Sequence, residues 1–284
     1  MKKSVRYRWP LSILVLLCGA LFCGCGEGYQ RTSAGVPGGA GGVASPLPSS
    51  GTNVEGNWQF SMTSTVSDAP PLTIGGSISP SGSSVSGAVH INGSKCFDPL
   101  RAVGLTGTLT GNNLVLTSTS VAGQVVTFTG NLSDYSPNFS RQFTGTYTID
   151  GGCASGDEGN VAGVSVPSMT RNWAGDLTSG TGYTNRMGIT LAQGAATSAG
   201  IFGLGGTVWF EGGTCFSSGT IVSGTFPSGS YVTGESVSLE VETDNGHIAF
   251  LGKAEGDGLI RGNYTLTNST CEPTGTWYLS PWEY

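Results

Sequence analysis

The feature that most constrains this chain is an internal duplication. The stretch from Trp58 to Cys153 is written again from Trp173 to Cys271, with the same landmarks in the same order. Each copy opens on Asn-Trp (Asn57-Trp58, Asn172-Trp173), carries a Cys-Phe pair (Cys96-Phe97, Cys215-Phe216), then a Gly-x-Tyr-Thr segment (Gly145 to Thr148, Gly262 to Thr265), and ends on a cysteine. The offsets between landmarks, 115, 119, 117 and 118, are nearly constant, so one unit was doubled.

Within each copy the apolar period is 2, with Thr and aromatic enrichment and no run at helical spacing. Phe143, Gly145, Tyr147 and Ile149 alternate with Thr144, Thr146 and Thr148; in the second copy Ile260, Gly262, Tyr264 and Leu266 do the same. Asn245-Gly246 marks a tight hairpin. The pattern predicts an all-β chain with two tandem antiparallel meanders of eight strands, the fourth of the second copy lying over 218–225. An even strand number lets the first strand pair with the last, which allows an up-and-down barrel; a two-sheet sandwich is the alternative. The opening Gly56-Asn57-Trp58 resembles the start of lipocalin-type and avidin-type barrels, which implies a Trp laid across a closed base.

The N-terminus has a basic start (Lys2, Lys3, Arg6, Arg8) and an apolar run from Leu11 to Phe22, too short to span a bilayer, and reads as an export signal. Its end, Cys23-Gly24-Cys25, resembles the lipobox of bacterial lipoproteins, in which a small residue precedes the cysteine that receives lipid; Phe22 stands where that family prefers Leu. The resemblance implies lipidation at Cys25 and an anchor in the cell envelope, with the outer membrane expected because Gly26 is not the Asp that marks inner-membrane retention. Residues 1–24 are thus the expected signal and 25–53 a tether of Gly, Pro, Ser and Ala that cannot bury enough surface to order itself. A flexible tether of this length reaches about 30 Å. The β domains are expected at 54–167 and 168–284.

Four of the 12 basic residues precede Cys25 and all 18 acidic residues follow it, so the exported chain carries 8 against 18, a net −10. That balance argues against nucleic acid and anionic headgroups as partners, leaving the N-terminal lipid as the expected membrane contact.

Of seven cysteines, four lie in the repeats, with spacings of 57 (Cys96 to Cys153) and 56 (Cys215 to Cys271). In an exported chain this predicts one disulfide per domain, each worth roughly 4 kcal/mol by loop closure. Both cysteines of a pair fall in loops after odd-numbered strands, so each bridge is expected to close one rim of its meander. Any site is then expected at the other rim, where Tyr135 and Phe139 (131–142) and Tyr231 (226–235) are candidate ligand contacts.

No nucleophile elbow, Ser-x-x-Lys or His-Glu-x-x-His motif occurs, and no Cys or His spacing suggests zinc, so no catalytic residue, metal or cofactor is expected. His90 and His247 are not shared between copies and are expected at the surface. Asp150, Asp157 and Glu158 form an acidic loop expected to be a solvated turn, and Glu240 with Glu242 an outward strand face. Trp209, between Val208 and Phe210, is a candidate for an inter-domain or partner contact. The whole chain resembles a small group of exported bacterial lipoproteins with repeated Gly, Ser and Thr-rich β domains. The expectation is a lipid-anchored, non-enzymatic envelope protein binding a ligand or partner through loops at one end of its β domains; a structural or adhesive surface protein without a pocket is the alternative.

Overall fold

The computed structural model describes residues 54–66, 71–133, 141–212, 215–224 and 226–282. The first repeat forms β1 (Gly56–Ser64), β2 (Leu72–Ser81), β3 (Ser84–Asn92), β4 (Val103–Thr110), β5 (Asn113–Ser118), β6 (Val125–Leu132), β7 (Gln142–Asp150) and β8 (Glu158–Val166). Each pairs antiparallel with the next, and β8 returns to β1 with Val166 opposite Asn57, which closes a barrel. The sandwich alternative is thereby excluded for this repeat.

The second repeat forms β9 (Arg171–Ser179), β10 (Thr184–Ala196), β11 (Phe202–Glu211), β12 (Ser218–Ile221), β13 (Tyr231–Thr233), β14 (Ser236–Thr243), β15 (Gly246–Ala254), β16 (Ile260–Thr267) and β17 (Thr274–Pro281). Pairing of β17 with β9 and of β10 with β11 closes this ring too. Both β12 and β13 lie between β11 and β14, so they are one stave in two pieces. The ring therefore has eight staves, but the fourth does not run over 218–225 as expected. The chain leaves the ladder after Ile221 and rejoins it at Tyr231. Gly224 and Gly229 pinch the neck of this excursion, where a Cβ on Gly224 would lie 2.5 Å from the Gly229 Cα. Pro227 within it has no N–H to offer a ladder.

Period-2 alternation places Trp58, Phe60 and Met62 of β1 inside the first barrel. Trp58 stacks on Phe60 at 5.7 Å, Phe60 on Phe128 at 5.6 Å, and Phe143 meets Phe60 edge-on at 5.8 Å. Each such pair adds about 0.5–1.5 kcal/mol beyond the area it buries. The rings fit because Gly163 on β8 has no side chain, since a Cβ there would lie 2.5 Å from the Phe60 ring. Both opening tryptophans close the same end of their barrels by the same device. The Trp58 indole N–H donates to the Val54 carbonyl at 2.8 Å, and that of Trp173 to the Met169 carbonyl at 3.0 Å.

Both predicted disulfides are present, Cys96–Cys153 and Cys215–Cys271, with Cα–Cα distances of 5.8 and 5.9 Å. A side-chain amide from the β5–β6 loop, or its counterpart before β15, holds each bridge: Gln124 Nε2 donates to the Cys96 carbonyl at 2.9 Å and Asn245 Nδ2 to the Cys215 carbonyl at 2.8 Å.

The described residues fall in one compact unit, and the two barrels share polar contacts. Asn57 grips Gly234 from both sides, its Nδ2 donating to the carbonyl at 2.8 Å and its Oδ1 accepting the N–H at 2.7 Å. Gln59 Oε1 accepts the Glu235 N–H at 3.1 Å. His90 is not the surface residue expected: it is 2 % exposed, with Nδ1 3.0 Å from the Pro99 carbonyl and Nε2 3.1 Å from the Ala199 carbonyl of the other barrel. An outward-facing strand position becomes interior when a second barrel covers it, which no pattern within one repeat can reveal.

Candidate functional site

A cup of about 520 Å³ opens at the disulfide end of the first barrel. Met62 of β1, Leu72 of β2 and Tyr147 of β7 form its apolar floor, above the stacked aromatics that fill the barrel below. Its wall comes from Gly93 to Cys96 after β3 and from Cys153 to Asp157 before β8. The Cys96–Cys153 bridge fixes these two segments to each other.

The expected geometry is reversed. The Trp58 end is sealed, and the disulfide crosses the mouth between the β3–β4 and β7–β8 loops, leaving the cup open on the β1–β2 side of it. Parity of loops located the bridge at one rim, and the two loops face each other across the ring of eight staves, but a single bridge covers only a strip of the mouth.

The polar chemistry of the cup is a three-residue constellation. Asp157 turns inward, accepting the Ser64 hydroxyl on Oδ1 at 2.6 Å and the Tyr147 hydroxyl on Oδ2 at 3.1 Å. Burial, and then the negative charge of Asp157, push the Tyr147 phenol up to about 12, so it stays protonated and acts as a donor. Lys95 stands exposed on the wall. The solvated acidic turn is thus corrected: Asp150 and Glu158 are exposed, whereas Asp157 belongs to the cup. Among the described residues no three His, Cys, Asp or Glu side chains gather as a metal site.

The second barrel lacks this site for reasons visible in the strand register. Gly145 and Gly262 are equivalent; the first pairs with Val161 and the second with Trp277. Trp277 is 3 % exposed, packs edge-on to Phe250 at 5.3 Å and donates to the Asn263 carbonyl at 3.1 Å. By the same register Asp157 is replaced by Pro273. The indole fills the level that a valine leaves open, and the hydrogen-bonding carboxylate is gone, leaving the exposed Glu272 to add by charge to the burial that raises the equivalent Tyr264 phenol.

Of the sequence-based candidates, Tyr135 and Phe139 lie outside the described residues. Tyr231 is half-buried on β13, where its ring meets Phe226 edge-on at 5.2 Å; Phe226 in turn lies 4.6 Å from the His90 ring of the first barrel. Burial raises its phenol, partly offset by a hydrogen bond with Ser238. Glu240 is partly buried and pairs with His247 at 2.9 Å; burial raises its carboxyl, the His247 partner opposes that, and Glu242 adds to it. The cup residues Ser64, Asp157 and Tyr147 were not joined from sequence, although an Asp present in one repeat and replaced by Pro in the other was a usable signal.

No protein-family model and no curated protein matches the chain. One solved structure does, kievitone hydratase from Nectria haematococca, at 9 % identity, with 81 % of this chain and 90 % of that chain covered and a TM-score of 0.25. The expectation that the chain is not an enzyme is corrected by this finding, because the protein it is similar to is a hydratase. At this level of similarity the match carries neither a reaction nor a residue over. What stands from the fold itself is two closed antiparallel barrels, consistent with a lipocalin-like architecture.

Proposed function

We propose that this chain is an exported envelope protein, held by lipid on Cys25, whose first barrel binds a small amphipathic molecule in the cup at its disulfide end. The observation that carries the reading is the cup: an apolar floor under one polar corner, of a size that suits a small ligand. An apolar body resting on Met62 and Leu72 would reach Ser64, Tyr147 and Asp157 with its polar tip. The filled second barrel supports a structural role for that half.

Titration with the neutral fluorophore N-phenyl-1-naphthylamine tests the cup. Val161→Trp installs the residue that the second barrel carries at this position, and we expect it to weaken binding at least tenfold, about 1.4 kcal/mol. Binding unchanged in this variant and in Leu72→Trp, with both folded by circular dichroism, refutes the assignment. For the anchor, labelled palmitate should enter the wild type and be lost in Cys25→Ala; equal labelling of the two disproves it.

A further inference from the structure

The contact between the two barrels joins two different patches. The outer face of β1, β2 and β3 in the first barrel receives the β13–β14 hairpin of the second, with Gly234 at the tip lying against Gly75. Because the chain is a duplication, each patch has a counterpart on the other barrel. Gln59, Gly75 and His90 lie side by side across the first face; Ala174, Gly188 and Trp209 occupy those positions on β9, β10 and β11 of the second. Asn172 stands where Asn57 stands. The counterpart of the docked hairpin is the β4–β5 hairpin, Thr110 paired with Asn113 as Thr233 is with Ser236. Its tip, Gly111, has φ +59, against +54 at Gly234.

Among the described residues, neither counterpart is covered by the other barrel. The hairpin tip is exposed, with no atom of the described residues within 4 Å of a Cβ placed on Gly111. On the face, Trp209 is 41 % and Trp282 42 % exposed, their rings 6.3 Å apart beside a cleft of about 340 Å³ that Asn172 and Thr190 also line. Val208 and Phe210 both point inward, so alternation alone turns this indole outward.

We propose that the outer face of the second barrel around Trp209 docks the β4–β5 hairpin of a second copy of this chain, repeating between molecules the contact that joins the barrels within one. The Trp209 indole lies over Gly188, so the arriving tip rests on a ring where Gly234 rests on bare backbone. A glycine tip has no side chain to hold it off that ring, and Asn172 keeps the amide with which Asn57 grips a turn, its Oδ1 here accepting the Thr190 hydroxyl at 2.9 Å, a bond the arriving turn would replace or share. Since face and hairpin are different patches, the contact is heterologous, and repeated addition gives rings or linear chains. The cup takes no part in it.

The test is sedimentation velocity on the chain from Gly26 to the C-terminus, which keeps every described residue and omits the apolar N-terminal run. The wild type is expected to grow beyond a monomer with concentration. Trp209→Ala removes the face and Gly111→Asn obstructs the tip with a residue that tolerates its backbone conformation; each alone should remain monomeric. Mixed in equal amounts, they retain one good face and one good tip between them and should stop at a dimer. A wild type that stays monomeric throughout, or variants that associate as the wild type does, or a mixture that stays monomeric while each variant is folded, overturns the proposal. Trp209-dependent binding of a saccharide by a monomeric wild type does so as well, and gives the face to a glycan.

Discussion

Asp157 shows how one residue acquires a role that its neighbours in sequence do not announce. It lies in a Gly-rich acidic loop, yet both its oxygens are engaged inside the barrel, by Ser64 and Tyr147. The consequence is a phenol that holds its proton from its ordinary value of 10 up to about 12. In the unfolded chain the same phenol ionises first, so between those limits the folded state binds more protons than the unfolded one. Stability from this group is therefore complete below pH 10 and is lost as pH rises through about 12. The phenols of Tyr231, Tyr264 and Tyr278 are raised too, so tyrosinate absorbance should show several late-titrating phenols, of which the one near 12 disappears in Tyr147→Phe, and the variant should lose less stability than wild type across that interval. A wild type whose described tyrosines all ionise near 10 contradicts the assignment.

At the level of the element, β8 illustrates why glycine is used in a strand interior despite its cost. Gly163 faces the barrel interior and makes room for the Phe60 ring, which itself stacks on Trp58 and Phe128. Gly163→Ala should destabilise the protein by about 1–3 kcal/mol through overpacking, read as a lower urea midpoint with an unchanged slope. The period-2 reading found all the strands of the first barrel because each strand has one face inside and one outside. It failed on the fourth stave of the second barrel, where Ile221 and Tyr231 belong to one stave although nine residues separate them. Hydrophobic alternation reports which way a side chain points; it does not report that a chain has left a ladder and come back to it.

For the whole molecule, the junction between barrels rests on buried polar groups. Asn57 is 3 % exposed and satisfies both backbone groups of Gly234. Asn57→Ala leaves those groups without their partner and should cost about 1–3 kcal/mol, seen calorimetrically as a lowered midpoint or as two barrels melting apart. An unchanged melting profile would show that the junction contributes nothing. The two disulfides act locally instead, each holding two loops of its own barrel at the end away from the tryptophan. The division of labour is clear in the register: where the first barrel has Val161 and Asp157 it keeps a cup, and where the second has Trp277 and Pro273 it is filled.

The sequence by itself determined the doubled all-β plan, the paired cysteines and the Trp that opens each unit, because these follow from period, spacing and repetition along one dimension. Only the tertiary structure decided that each meander closes into a barrel, that the cup opens at the disulfide end, and that His90 is interior. Those outcomes depend on which side chains fill a ring of eight staves and on which outer face another barrel covers. Both are set by volumes and surfaces meeting across more than a hundred residues of chain, as His90 meets Ala199.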